Sequence, residues 1–190
     1  ENTLDIAITF SSSNRISYSN QTLSSGYLFL QDIIYKLKLD SICDTIAKKY
    51  DFSFDLPSIL STLIISRILS PSSKLSTYEY AKTFIEQPTF SLHDMYRALD
   101  IFSQNTDYIL SQLYKNSIQI VPRNTSVLYY DCSNFYFEIE EPDGLKQYGK
   151  SKEHRPNPII QMGLFMDGNG IPLSFVIYPG NANEQPLLYP

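Results

Sequence analysis

The spacing of apolar residues changes once along the 190-residue chain, near Arg123, and that change constrains the fold more than any other feature. Before Arg123, apolar residues recur every three or four positions, as on the core-facing stripe of a helix. After it they come in short β-type runs between turn signals. The pattern reads as α+β. It divides the chain into an N-terminal loop or short β segment (1–26, Ser/Asn-rich from Ser11), a helical region (27–122) and a β-rich region (123–190).

Local signals fill in this outline. Leu30, Ile33, Ile34 and Leu37 form one helical stripe, and Ile42 with Ile46 a shorter one. Asp55 followed by Pro57 reads as an N-cap and helix start, with a stripe of Leu60, Leu63, Ile64 and Ile68 that stops before Pro71. Ser72 to Ser76 opens a further helix with the stripe Tyr78, Ala81, Phe84 and Ile85. Ser91 and Asp94 have the spacing of a capping box, and Met95, Leu99, Phe102, Ile109 and Leu113 predict the longest helix of the chain. Taken alone, these stripes describe a helical bundle with no chemistry of its own. Further on, Val127 to Tyr130 is a short β-type run ending in Asp131, and Phe135 to Ile139 is a second candidate. Ile159 to Met166 and Ile171 to Tyr178 are two more, joined by the hairpin signal Asp167-Gly168-Asn169-Gly170.

Composition narrows the function classes. A 43% hydrophobic chain with 11 Phe and 15 Tyr can bury a core, which excludes a disordered segment. No apolar run approaches the roughly 18–20 residues that span a bilayer. The start, ENTLDIAITF, lacks the basic and apolar regions of a secretory signal. A soluble, cytoplasmic protein with no membrane partner is expected. The first residue is Glu rather than Met, as in a processed chain or a piece of a longer one. Fifteen basic against twenty acidic residues give a net charge of −5, so nucleic-acid binding would have to rest on a local patch. Cys43 and Cys132 belong to no CxxC or Cys/His cluster, which leaves two reduced thiols and no structural zinc.

Two features could carry chemistry. Asp131 ends an aromatic run, where a carboxylate is costly unless hydrogen-bonded or holding a metal, although an Asp there is more often a turn former. The segment from Leu145 to Pro158 gathers Lys146, Lys150, Lys152, His154 and Arg155 around Tyr148 in an otherwise acidic chain. Lys and Arg with an interleaved Tyr suit phosphate contacts and stacking, and the plainer alternative is a solvated loop.

Read in order, Tyr129-Tyr130-Asp131-Cys132-Ser133-Asn134-Phe135-Tyr136-Phe137-Glu138, Tyr148-Gly149-Lys150-Ser151-Lys152-Glu153-His154-Arg155, Gly163-Leu164-Phe165-Met166-Asp167, Gly170-Ile171-Pro172-Leu173 and Pro179-Gly180-Asn181 resemble the start of the catalytic domain of bacterial insertion-sequence transposases of the DDE type. Arg67 to Lys74 and Tyr96 to Asp100 resemble the helical region ahead of it, so the likeness covers roughly 60–190. The resemblance implies a ribonuclease H-like fold, of which this chain would hold the first three antiparallel strands. It also implies two Asp and one Glu holding two Mg²⁺ or Mn²⁺ ions that activate water or a 3′-hydroxyl against a phosphodiester. Asp131 matches the first Asp, as both catalytic and metal-holding residue. Ser133 stands where many relatives carry Thr, which keeps the hydroxyl.

The resemblance puts the second Asp after a crossover helix that follows the third strand. The last strand candidate ends at Tyr178, leaving twelve residues, 179–190. A crossover takes about a dozen and the next strand about five more. Asn183 to Tyr189 could only begin that helix. The second Asp and the Glu are therefore expected outside this chain. Glu138, Glu140, Glu141, Asp143, Asp167 and Glu184 are read as turn or surface acids. The expected protein is the N-terminal portion of a DNA transposase, inactive by itself and partnered by transposon-end DNA through Lys146, Lys150, Lys152 and Arg155. A homo-oligomer is also expected, because an incomplete sheet leaves an unpaired apolar edge. The alternative is a non-enzymatic DNA-binding or self-associating module. A glycoside hydrolase would need a second acid about 5–10 Å from Asp131, and no spacing nominates one.

Overall fold

Short polar side chains decide where three of the helices begin. In the computed structural model, which describes residues 23–152, 154 and 156–182, the first two helices are α1 (Leu28–Lys36) and α2 (Leu39–Ala47). Asp55 accepts from the Ser58 N–H at 3.1 Å and, with Pro57 in the first turn, starts α3 (Leu56–Leu69). Ser73 caps α4 (Lys74–Ala81) by accepting from the Ser76 N–H. The Ser91–Asp94 capping box is complete in both directions and starts α5 (Leu92–Gln104). Then follow α6 (Thr106–Ser117) and three strands, β1 (Leu128–Tyr136), β2 (Ile159–Asp167) and β3 (Pro172–Pro179). The described residues are thus α+β, six helices followed by an antiparallel sheet of order β1-β2-β3. Among the described residues no helix is long and apolar enough to cross a membrane.

The helices share one core, in which Ile46, Leu56, Ile59, Ala81, Met95 and Ala98 are fully buried. Several expected stripes are shifted. In α1, Ile34 is buried while Ile33 is exposed. In α3 the buried face is Leu56, Ile59, Thr62, Ile65 and Ser66, whereas Leu60, Leu63 and Ile64 pack at its margin and Ile68 is 57% exposed. Apolar residues surround nearly the whole of α3, so its own periodicity cannot choose a face, and its packing against α2, α4 and α5 does. α4 ends at Ala81, and Phe84 reaches the core from beyond the helix, stacked on Tyr27 at 4.6 Å, while Ile85 is exposed.

The predicted longest helix is two helices. Asn105 replaces the continuing ladder: its side-chain Nδ2 donates to the Ile101 carbonyl and to the Tyr50 hydroxyl, both at 2.8 Å. Its backbone N–H turns to the Phe102 carbonyl at 3.1 Å, and α6 restarts from the Asn105 carbonyl. The longest helix is α3, with 14 residues. Of the N-terminal segment, residues 1–22 lie outside the described residues. Within the remainder, Ser24 makes an isolated parallel bridge to Phe84.

In the β region, the expected break after Asp131 does not occur. β1 runs unbroken through Asp131-Cys132-Ser133-Asn134, paired with the nine residues of β2 from Leu128↔Asp167 to Tyr136↔Ile159. Asp131 therefore lies mid-strand, opposite Leu164. The β2–β3 hairpin forms where expected, with Gly170 at φ 75° in its turn.

One ion pair joins the two layers. Arg123 Nε donates to Asp167 Oδ2 at 2.6 Å, with the side chains 4% and 0% exposed. The same guanidinium donates to Ser117 Oγ at the end of α6 and to the Ile171 and Pro172 carbonyls of the hairpin, and it lies over the Tyr114 ring. Burial pushes the Asp167 carboxyl upward, but the N–H of Ile171, the Arg123 guanidinium and the N–H of Asn169 outweigh it and hold it below the usual carboxylate range.

A folded-state pKa below the unfolded one contributes stability above about pH 4, lost as the pH falls further. Asp167→Asn should therefore flatten the acid limb of a pH-dependent denaturation series. Arg123→Ala, which strands a buried carboxylate, should lower the melting temperature by about 10 °C. An unchanged acid limb in the first variant, or an unchanged midpoint in the second, would show that the layers are joined elsewhere.

Candidate functional site on strand β1

Neighbours across an antiparallel ladder share a face, and alternate residues divide the sheet into two. One face carries Cys132, Gln161 and Tyr178, all buried. Here the Tyr130 and Tyr178 hydroxyls share a hydrogen bond directly over Gly163. A Cβ on Gly163 would meet the Tyr130 ring and both hydroxyls at 2.6 Å, so the strand glycine provides the space for the pair. Burial, then the Tyr130 hydrogen bond, pushes the Tyr178 phenol up, and it stays protonated. Cys132 donates through Sγ to Gln161 Oε1, whose amide nitrogen donates to the Gly180 and Ala182 carbonyls at 3.0 and 2.8 Å. Both cysteines are buried and unbridged, and burial with the nearby Asp40, Asp44 and Asp55 pushes the Cys43 thiol up to about 12.

The opposite face carries Asp131, in one row with Leu164 and Phe175, beside Ser133, Met162 and Ile177. Its neighbours Tyr129, Phe135 and Ile177 are exposed. The expectation of a costly carboxylate is corrected here: the Asp131 side chain is 65% exposed and remains solvated. Among the described residues its one ionic neighbour is Lys152, whose Nζ lies 3.7 Å from Asp131 Oδ1 and also donates to the Cys132 carbonyl.

The basic segment does not act as one cluster. Asn134 Nδ2 donates to the Lys150 carbonyl at 3.1 Å, which holds the returning chain against β1 and brings Lys152 to Asp131. The Lys150 side chain is exposed. Lys146 is engaged elsewhere, 3.3 Å from Asp143 Oδ2 and over the Phe137 ring. Arg155, Glu153 and Glu184 lie outside the described residues, as does the expected helix start from Asn183 to Tyr189.

The remaining described acids do not complete a site around Asp131. Asp167 is consumed by Arg123 and Asp143 by Lys146, while Glu138, Glu140 and Glu141 are exposed. Among the described residues no three His, Cys, Asp or Glu side chains come together in a way that could hold a metal ion. Among the described residues Asp131 is therefore a lone carboxylate with one ammonium beside it. Sequence reasoning passed over Arg123, Tyr130, Gln161 and Tyr178. The signals available were Gly163 and the polar Gln161 inside a mostly apolar strand, and none of them pointed to Arg123.

Comparison of the chain with protein-family models, with curated proteins and with solved structures gives no match.

Gly163→Ala should break the Tyr130–Tyr178 hydrogen bond and destabilise the sheet by about 1–3 kcal/mol through overpacking. Urea denaturation would measure the loss. A variant as stable as the parent would mean that the rings move aside at no cost.

Proposed function

We propose that the chain is the N-terminal portion of a DNA transposase of the DDE type, with Asp131 the first of three carboxylates that hold Mg²⁺ or Mn²⁺ in a ribonuclease H-like domain. The observation that carries this reading is the position of Asp131. It sits mid-strand on β1, solvent-exposed on the outer strand of a sequentially connected antiparallel sheet, with a lysine-bearing segment returning alongside it. The order of the motif blocks from Tyr129 to Asn181, preceded by a helical region, supports the same reading. The complete enzyme would cut and join DNA. The described residues supply one carboxylate, so the metals would need acids from outside them, and the chain alone is expected to neither nick nor join DNA.

The exposed Tyr129, Phe135 and Ile177 around Asp131 favour a second reading, a self-associating module without chemistry. Asp131→Asn in the full-length parent separates the two. On the transposase reading it abolishes cleavage and strand transfer while leaving binding to transposon-end duplex nearly intact. Retained strand transfer in that variant would sink the assignment.

The lysines make a finer prediction, because phosphate contacts set affinity without sequence preference. Lys150→Ala in the parent should weaken binding to all duplexes alike and reduce the slope of log K against log salt by about one. Lys146→Ala, which removes a lysine already paired with Asp143, should leave the slope unchanged. Fluorescence anisotropy across a salt series reads both, and an unchanged slope for Lys150→Ala would return this segment to a solvated loop.

A further inference from the structure

We propose that the cavity between α1 and the start of α3 binds an extended organic cation, an alkyl chain ending in a guanidinium or ammonium group. The proposal concerns the helical region and is independent of the role of Asp131.

The lining sets the charge. The cavity encloses about 440 Å³, within the range of small-molecule sites. Its acids are Asp40 of α2, Asp55 at the N-cap of α3 and Glu86 beyond α4, and among the described residues no Lys, Arg or His lines it. None of the three acids has an ion-pair partner among the described residues. Glu86 is held in place, since its backbone N–H donates to the Tyr27 hydroxyl at 3.2 Å and its Oε2 accepts from Gln31 Nε2 at 3.1 Å. The negative field reaches the buried Cys43, whose thiol is pushed up by burial first and then by Asp40, Asp44 and Asp55.

A second observation is independent of charge. Thr62, only 7% exposed, lines the same cavity, and its hydroxyl forms no hydrogen bond with any described residue. A buried hydroxyl left unmet is costly, and a ligand N–H is a donor that it can accept. Tyr35, also in the lining, offers an aromatic ring to a guanidinium. The acids are exposed and spread out, for among the described residues no three such groups come together as a metal ion requires. The lining therefore fits a cation with donors along its length and not a bare ion.

The test is a titration of the isotopically labelled 190-residue chain with agmatine, a butyl stem carrying a guanidinium and an ammonium. The amide signals of Ser58, Ser61 and Thr62 should shift saturably, and the uncharged analogue butylurea should leave them in place. Asp40→Asn combined with Asp55→Asn, which keeps a capping side chain on α3, should raise the dissociation constant about tenfold. Thr62→Val should raise it about fivefold without lowering the melting temperature, because it removes an unmet hydroxyl and keeps the shape. N-acetylarginine methylamide separates the sources of such a cation. Tighter binding than agmatine assigns the cavity to an arginine side chain of a partner protein, and weaker binding assigns it to a free polyamine-like molecule. Equal shifts with butylurea, or unchanged affinity in the double Asp variant, would overturn the proposal. So would the absence of saturable shifts with both cations.

Discussion

Arg123 sits where the helical pattern gives way to the strand pattern, and its guanidinium ties the two layers together. A guanidinium and a carboxylate withdrawn from water would be a liability if either kept an unmet hydrogen bond. Neither does. The planar fork of Arg123 reaches Asp167, Ser117, Ile171 and Pro172, while Asp167 also takes the N–H groups of Asn169 and Ile171. The flanking chain repeats the attachment, with the Gly168 N–H donating to the Asn124 carbonyl and the Asn169 side chain to the Pro122 carbonyl. The β2–β3 hairpin is thereby fixed to the end of α6, and β1, paired along its length with β2, takes its position from that joint.

The helix starts were legible because an N-cap is a local transaction between a side chain and an amide three residues on. Asp55, Ser73 and Ser91 needed nothing from the rest of the fold. The buried face of α3 was not legible, since a helix apolar on most sides takes its orientation from its neighbours. The interruption at Asn105 depends on Tyr50, some 55 residues away, for one of its two side-chain bonds. The continuity of β1 through Asp131-Cys132-Ser133-Asn134 is tertiary in the same sense. Four residues of modest strand preference are held extended because β2 opposes them one for one.

The candidate site divides along similar lines. That Asp131 was worth singling out could be read from its place in an aromatic run. That Lys152 and not Lys146 would sit beside it could not, because the choice is made by Asn134 holding the Lys150 carbonyl and by Asp143 lying three residues before Lys146. A row of like charges in a sequence says nothing about which members already have partners.

The two faces of β1 then explain why its acid is open to solvent while its neighbours are not. On one face the Tyr130–Tyr178 pair and the Cys132–Gln161 contact use side chains that reach across all three strands and bind the sheet to the turn after β3. That face ties the strands to one another, while on the other face Leu164 and Phe175 turn toward α6 and Asp131 stands out on the outer strand. A carboxylate there costs little, since water still solvates it and Lys152 balances its charge. Because successive residues alternate between the faces, Tyr130 and Cys132 can be fixed by packing while Asp131 between them stays solvated. Paired along its length with β2, the strand holds this acid in a more fixed position than the loop end first expected for it.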